Sequence, residues 1–161
     1  MKRIEQAILG PIYALATALR RVGWGMWRPA TVGVRAFVVR GSSVLLVRHR
    51  AGPRPWGLPG GGVARFERLA EAARREALEE TGVNVRIDHL MGVYDSFHDG
   101  MSNYIAVFIC TPLGEPRPPR SLEIAEARYF PLDSPPEAID PGTRRRLAEY
   151  HAGMQVQSTT W

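Results

Sequence analysis

The residues best suited to chemistry lie in one stretch, GGVARFERLAEAARREALEETGV, from Gly61 to Val83. It carries Glu67, then Arg75 and Glu76, then Glu79 and Glu80, and Gly82 closes it. From about Arg68 to Thr81 the residues are mostly Ala, Leu, Glu and Arg, strong helix formers, so a helix is expected there with Gly82 at its C′ position. On a helix turning about 100° per residue, Glu76, Glu79 and Glu80 stand at i, i+3 and i+4, and their carboxylates leave one side toward a common point. Like charges at that spacing repel. Glu79 and Glu80 also occupy the last turn, where the helix dipole disfavours anions. A bound cation would offset both costs. Oxygen ligands suit a hard ion such as Mg²⁺ or Mn²⁺, and no Cys or His stands nearby to make a zinc site. Taken alone, however, such a cluster reads as a solvated acidic helix face balanced by Arg74 and Arg75.

Its surroundings change that reading. The loop WGLPGGG, Trp56 to Gly62, immediately precedes the helix, and glycines let a backbone approach a ligand closely. Together the loop and helix resemble the Nudix (MutT-like) box, GX5EX7REUXEEXGU with U apolar. Gly61, Glu67, Arg75, Glu76, Glu79, Glu80 and Gly82 fill the fixed positions, and Ala77 and Val83 the apolar ones. The flanks AFVVRGSSVLLVRHR and EARYFPLD resemble strands of the same family more loosely, whereas the first thirty residues lie outside the resemblance. One departure falls inside the box: the family often has Gly just before the first glutamate and an acidic residue two places earlier, where this chain has Phe66 and Ala64. The loop around Glu67 is therefore expected to differ in shape.

The resemblance implies a division of labour. Glu79 and Glu80 bind the divalent cation, Mg²⁺ with Mn²⁺ as a substitute, and Gly61 offers its backbone carbonyl. Arg75 holds a glutamate by charge-assisted hydrogen bonding. Glu76 completes the metal shell or serves as general base. Some members of the family place the base on a distant loop, where Glu123 in SLEIAEARYF is the candidate, ahead of Glu126. Arg48, His49, Arg50 and Arg54 precede the loop and are candidates for contact with substrate phosphates; Trp56 is read as a core support for the loop rather than a base-stacking residue. The implied reaction is hydrolysis of a phosphoanhydride bond in a nucleoside diphosphate linked to a moiety X. The alternative is a Nudix-fold module that senses a nucleotide without turnover, and the complete set of glutamates argues against it. The downstream proline that resembles ADP-ribose hydrolases has no counterpart between Val83 and Pro112, and the SQPWPFPxS pattern of NADH hydrolases is missing. Nucleoside triphosphates and other nucleoside diphosphate derivatives therefore rank ahead of those substrates.

The elements that must position these residues can be read from the flanks. Thr31 to Val39 and Ser43 to Arg48 are β-branched and apolar around the turn Arg40-Gly41-Ser42, which predicts a hairpin. Strands are expected from Val83 to Tyr94, interrupted near Gly92, from Asn103 to Thr111, and briefly from Arg128 to Phe130. Asp140 and Pro141 cap a last helix through His151. The resemblance implies an α/β/α sandwich with a mixed central sheet, and this order of elements is compatible with it.

At 161 residues the chain accommodates one domain with a real core. We assign residues 31–151 to it, residues 1–30 to an N-terminal amphipathic helical extension, and 152–161 to a weakly ordered tail. MKR followed by AILGPIYALATAL has parts of a secretory signal, but Glu5 and Gln6 interrupt its start. Ile4, Ile8, Ile12, Leu15, Leu19 and Val22 recur at helical spacing, which suits a helix packed on its own domain, on a partner subunit in a dimer, or on an acidic membrane surface. The stretch is too short to span a bilayer, and a cytoplasmic enzyme is expected. The net charge of +5 favours anionic partners. The basic residues are scattered and no nucleic-acid-reading motif accompanies them, so a small nucleotide-like substrate is expected rather than sequence-specific nucleic acid. Cys110, the only cysteine, sits in the apolar run YIAVFIC and reads as a core residue.

Overall fold

The computed structural model describes residues 30–51, 55–98, 101–117, 123–154 and 157–161. The expected N-terminal helix and Arg54 lie outside them.

In chain order the elements are β1 (Ala30–Arg40), β2 (Ser43–His49), β3 (Trp56–Gly57), α1 (Leu69–Thr81), β4 (Val85–His98), β5 (Met101–Pro112), β6 (Ile124–Pro131), α2 (Pro141–His151) and β7 (Gln157–Thr160). The predicted hairpin joins β1 to β2 through Gly41, whose φ of +58° is the left-handed conformation a tight loop requires. The two strands then part after the pairs Val39–Val44 and Arg40–Ser43. β2 turns to run antiparallel to β6, while β1 continues parallel to β5 from Ala30–Ser102 to Val38–Cys110.

This separation makes room for the site. The edge of β1 that β2 leaves is taken over by the Gly-rich loop: Ala36 N–H donates to Pro59 O at 2.9 Å, Val34 N–H to Gly61 O at 2.9 Å, and Val63 N–H to Val32 O at 3.2 Å. Backbone groups that would otherwise be unpaired are satisfied, as burial demands.

The sheet is mixed, in the order β3-β2-β1-β5-β4-β7 with β6 also on β2. Alternating side chains divide the core in two. Phe37, Leu46, Ile105 and Val107 pack toward Leu147 of α2, while Val34, Ala36, Ala106 and Phe108 pack toward Ala72, Ala73 and Ala77 of α1. The result is the expected α/β/α sandwich. Cys110 is fully buried in the α1-side core, and burial pushes its thiol up to about 12.

Several boundaries differ from expectation. The interruption near Gly92 is a register shift inside one longer strand, with a second shift between Ile87 and His89, and β4 runs on to His98. The short strand at Arg128–Phe130 begins at Ile124, since β2 provides a partner along that whole length. The tail expected to be weakly ordered contains β7, which pairs parallel to β4 from Gly92–Gln157 to Asp95–Thr160. Trp161 follows it, its N–H donating to Asp95 O at 2.7 Å and its ring edge-on to Tyr94. Its indole lies so close to Gly142 of α2 that a Cβ there would overlap it. Among the described residues no helix is long and apolar enough to cross a membrane.

Candidate active site

Helix α1 ends in the left-handed Gly82, whose N–H donates to Leu78 O, as the sequence predicts. Its three glutamates meet three different environments. Glu80 is 6% exposed, and its Oε2 accepts the Gly60 N–H at 2.9 Å. Gly60 has φ +151°, and a Cβ on it would strike Val34 O of β1, so only glycine brings this N–H to Glu80. Burial pushes the Glu80 carboxyl up to about 7; the Gly60 N–H and Arg35 pull the other way, and Glu76 and Glu123 add to the rise.

Glu76 lies against Gly61, where a Cβ would stand 2.6 Å from Oε1, and accepts Arg75 Nη1 at 2.7 Å. Glu79 is more open, with a side chain 54% exposed and a 3.3 Å contact to the same Nη1. Arg75 is the hub of this group. Its Nε and Nη2 form a fork on Glu67 at 2.8 and 2.9 Å, and Nη2 also reaches Gly62 O. The Arg75 guanidinium beside Glu67, with help from the Ala64 N–H, holds that carboxyl down at about 2. Glu67 thus anchors the arginine that orients Glu76 and Glu79.

The loop that carries Glu67 holds a non-glycine residue in a left-handed conformation. Phe66 has φ +66°, and among the described residues no other non-glycine has positive φ. Its ring is 91% exposed, so packing does not explain the conformation. Glycine, frequent at this place in the family, adopts it without strain.

The expected convergence of the glutamates is only partly formed. Among the described residues no three acidic, His or Cys side chains stand close enough to close around a metal ion. Helix geometry sends the carboxylates to one side, but each then turns to the nearest donor, Glu80 to Gly60 and the other two to Arg75. Gly61 O, expected to face a cation, already accepts Val34 N–H. The donor set nonetheless fits a hard divalent ion: the oxygens are carboxylate and carbonyl, they share one helix side, and the bare Cα of Gly61 leaves the space Glu76 needs.

The remaining candidates separate. Arg48 pairs with Glu126 at 2.9 Å and lies over Trp56, so it is held by the β2–β6 pairing rather than aimed at the glutamates. Arg50 is exposed, and its N–H donates to Glu123 O at 2.8 Å. Glu123 is exposed, yet its charge is felt by Glu80 and by His49. Trp56 is a core residue, edge-on to Phe130. His49, at a register shift in β2, faces a cavity of about 290 Å³ also lined by Leu58, Arg35, Asp140, Thr143 and Trp161. Sequence reading missed Arg35, Asp140 and Trp161 as site residues. The available signal for Arg35 was parity, because it shares a strand face with core residue Phe37.

Residues 28–150 match the NUDIX domain family. A MutT-like protein of Streptomyces ambofaciens is 39% identical over 84 residues, 52% of this chain and 53% of that one, so the chain spans about half of that relative's length. A Bacillus subtilis (strain 168) protein named as a candidate 8-oxo-dGTP diphosphatase is 31% identical over 130 residues, 78% of this chain and 84% of its own. The crystal structure of a MutT NUDIX hydrolase from Burkholderia pseudomallei superposes with TM-score 0.68 and 30% identity, covering 74% of this chain and 97% of that one. This chain belongs to the Nudix family, whose domain covers most of its length.

Proposed function

We propose that the protein is a Mg²⁺-dependent, cytoplasmic pyrophosphohydrolase acting on a nucleoside triphosphate or a similar small nucleoside diphosphate derivative. The observation that carries this reading is Glu80, a carboxylate buried against the Gly-rich loop with Glu76 beside it, where a cation is needed to offset the charge. Glu80, Glu79 and Glu76 would hold the divalent ion, with the Gly61 carbonyl contributing if its second lone pair turns toward it. When bound, that ion draws electron density from phosphorus and stabilises the departing phosphate. Arg75 keeps Glu76 and Glu79 aimed. The oxygen of a water attacks phosphorus, the bridging P–O bond breaks, and the water's proton passes to Glu76 or Glu123. Comparing pH–rate profiles of Glu76→Gln and Glu123→Gln separates those two. Arg50, exposed and joined through its backbone to Glu123, is the remaining arginine candidate among the described residues for contact with the phosphates.

The test is a panel of nucleoside triphosphates, nucleotide sugars, ADP-ribose and NADH, with phosphate and pyrophosphate release measured in Mg²⁺ and in EDTA. Turnover of one or more triphosphates or nucleotide sugars, abolished by EDTA, is expected. Binding without turnover across the panel would favour the sensing module instead, and a preference for ADP-ribose would overturn the substrate ranking.

A further inference from the structure

Arg35 differs from the other arginines near the sheet. Arg40, Arg48, Arg75, Arg86 and Arg146 each pair with a carboxylate within 4.0 Å. Among the described residues, Arg35 makes one hydrogen bond, from Nη1 to the adjacent Val34 O at 3.0 Å, and no ion pair. It lines the cavity beside Asp140, His49 and Trp161, and Glu80, Asp140 and Glu76 act on it through space. A guanidinium stays protonated even when burial opposes it, so its charge persists at the cavity wall while, among the described residues, one of its donors is engaged. One oxygen of the Asp140 carboxylate is already engaged, since Oδ2 caps α2 by accepting Thr143 N–H at 2.7 Å, and the carboxylate makes no ion pair with Arg35.

We propose that Arg35 is a phosphate-recognition residue: its guanidinium fork receives non-bridging oxygens of the substrate's diphosphate and directs the attached group into the cavity walled by Trp161. This rests on the pyrophosphohydrolase reading above. The geometry suits it, because the Gly60 backbone that donates to Glu80 also lies against Arg35 Cα, and the charges of Glu80 and Glu76 act on the Arg35 guanidinium. Carboxylates engaged with a divalent ion no longer compensate the guanidinium, and an anionic diphosphate would. A purely structural Arg35, serving only as a charge neighbour of Glu80, would alter stability and leave ligand affinity alone.

Titration of GDP and of inorganic pyrophosphate, in Mg²⁺, into folded Arg35→Gln distinguishes these, with tryptophan fluorescence and calorimetry as readouts. Both dissociation constants are expected to rise by about tenfold or more, the usual worth of a charged hydrogen bond. KM should rise in step, with a smaller fall in kcat. Arg86→Gln, paired with Asp88 on β4, should change neither. Unchanged affinity for both probes overturns the proposal. Where Arg35→Gln fails to fold, Arg35→Lys keeps the charge and loses the fork; weaker binding supports the role and unchanged binding overturns it. Failure here leaves the unsubstituted chain turning over in Mg²⁺ and Glu80→Gln inactive, whereas failure of the underlying reading would appear as no Mg²⁺-dependent turnover by the unsubstituted chain, or as undiminished turnover by Glu80→Gln, whatever Arg35 does.

Discussion

The two faces of the sheet are built in different ways. On the α1 face every charged group of the candidate metal site comes from one continuous segment, Gly60 to Glu80, and Arg75 cross-links it through Glu67, Glu76 and Glu79. On the α2 face the cavity is gathered from β1, β2, the α2 cap and the residue after β7, and its cation has no carboxylate partner among the described residues. Helical spacing can organise a reaction centre locally. A recognition cavity needs residues that only the complete sheet brings together. The first arrangement lies wholly within the stretch that resembles the Nudix box, whereas the second draws on separate stretches of the chain.

Four measurements probe that contrast. The largest effect is expected from Glu80→Gln, which keeps shape and helix propensity but removes the buried charge. Mg²⁺-dependent turnover should fall by more than about 100-fold, beyond what loss of a supporting residue usually costs. Glu71→Gln, on the exposed first turn of α1, is its control. Near-normal hydrolysis by Glu80→Gln would remove the metal site from this helix. Arg75→Lys comes next, since it retains charge and loses the fork on Glu67; kcat should drop by about 10- to 100-fold. An equal loss from Arg48→Lys would erase the distinction between the segment's hub and a sheet ion pair.

The third measurement concerns stability in EDTA. Burial raises the folded-state pKa of Glu80 from 4.5 to about 7, so its contribution is intact below about 4.5 and lost as pH climbs through 7. Glu80→Gln has no such loss and should be more stable than the unsubstituted chain at pH 8 by about 1–3 kcal/mol, converging with it near pH 4. A constant difference across that range in urea melts would show that the charge is not the cause. The smallest effect is expected at Phe66. Phe66→Gly relieves a left-handed backbone without removing core, and should shift stability upward by less than about 1 kcal/mol.

What the sequence discloses follows the same division. α1 and its caps are readable because a run of helix formers ends in glycine, and the box fixes the order of its charges. Chain direction was readable there, but rotamers were not, so the glutamates' turn toward Arg75 and Gly60 required coordinates. The β1–β2 hairpin was legible from its turn. β7 was not, because Gln157–Thr160 has no apolar alternation and becomes a strand through the open edge of β4. Arg48 looked like a phosphate contact until strand pairing set Glu126 beside it; one strand's sequence does not name its neighbour. Arg35 was hidden for the same reason, as a single charge in an apolar strand whose orientation depends on what covers each face.

The parting of β1 from β2 after two residue pairs also bears on how the chain tolerates changes in length. The body of β1 takes its register from β5, not from the hairpin. Added residues at Gly41 and Ser42 would lengthen a surface turn while β5 keeps Val34 and Arg35 in place. A single residue inserted between Ala30 and Val38 would reverse the faces of every side chain on one side of it, turning Arg35 toward the alanines of α1 and shifting the groups that pair with Pro59 and Gly61. Length variation in this half of the sheet should therefore concentrate at the hairpin tip, with the strand body held to one count of residues.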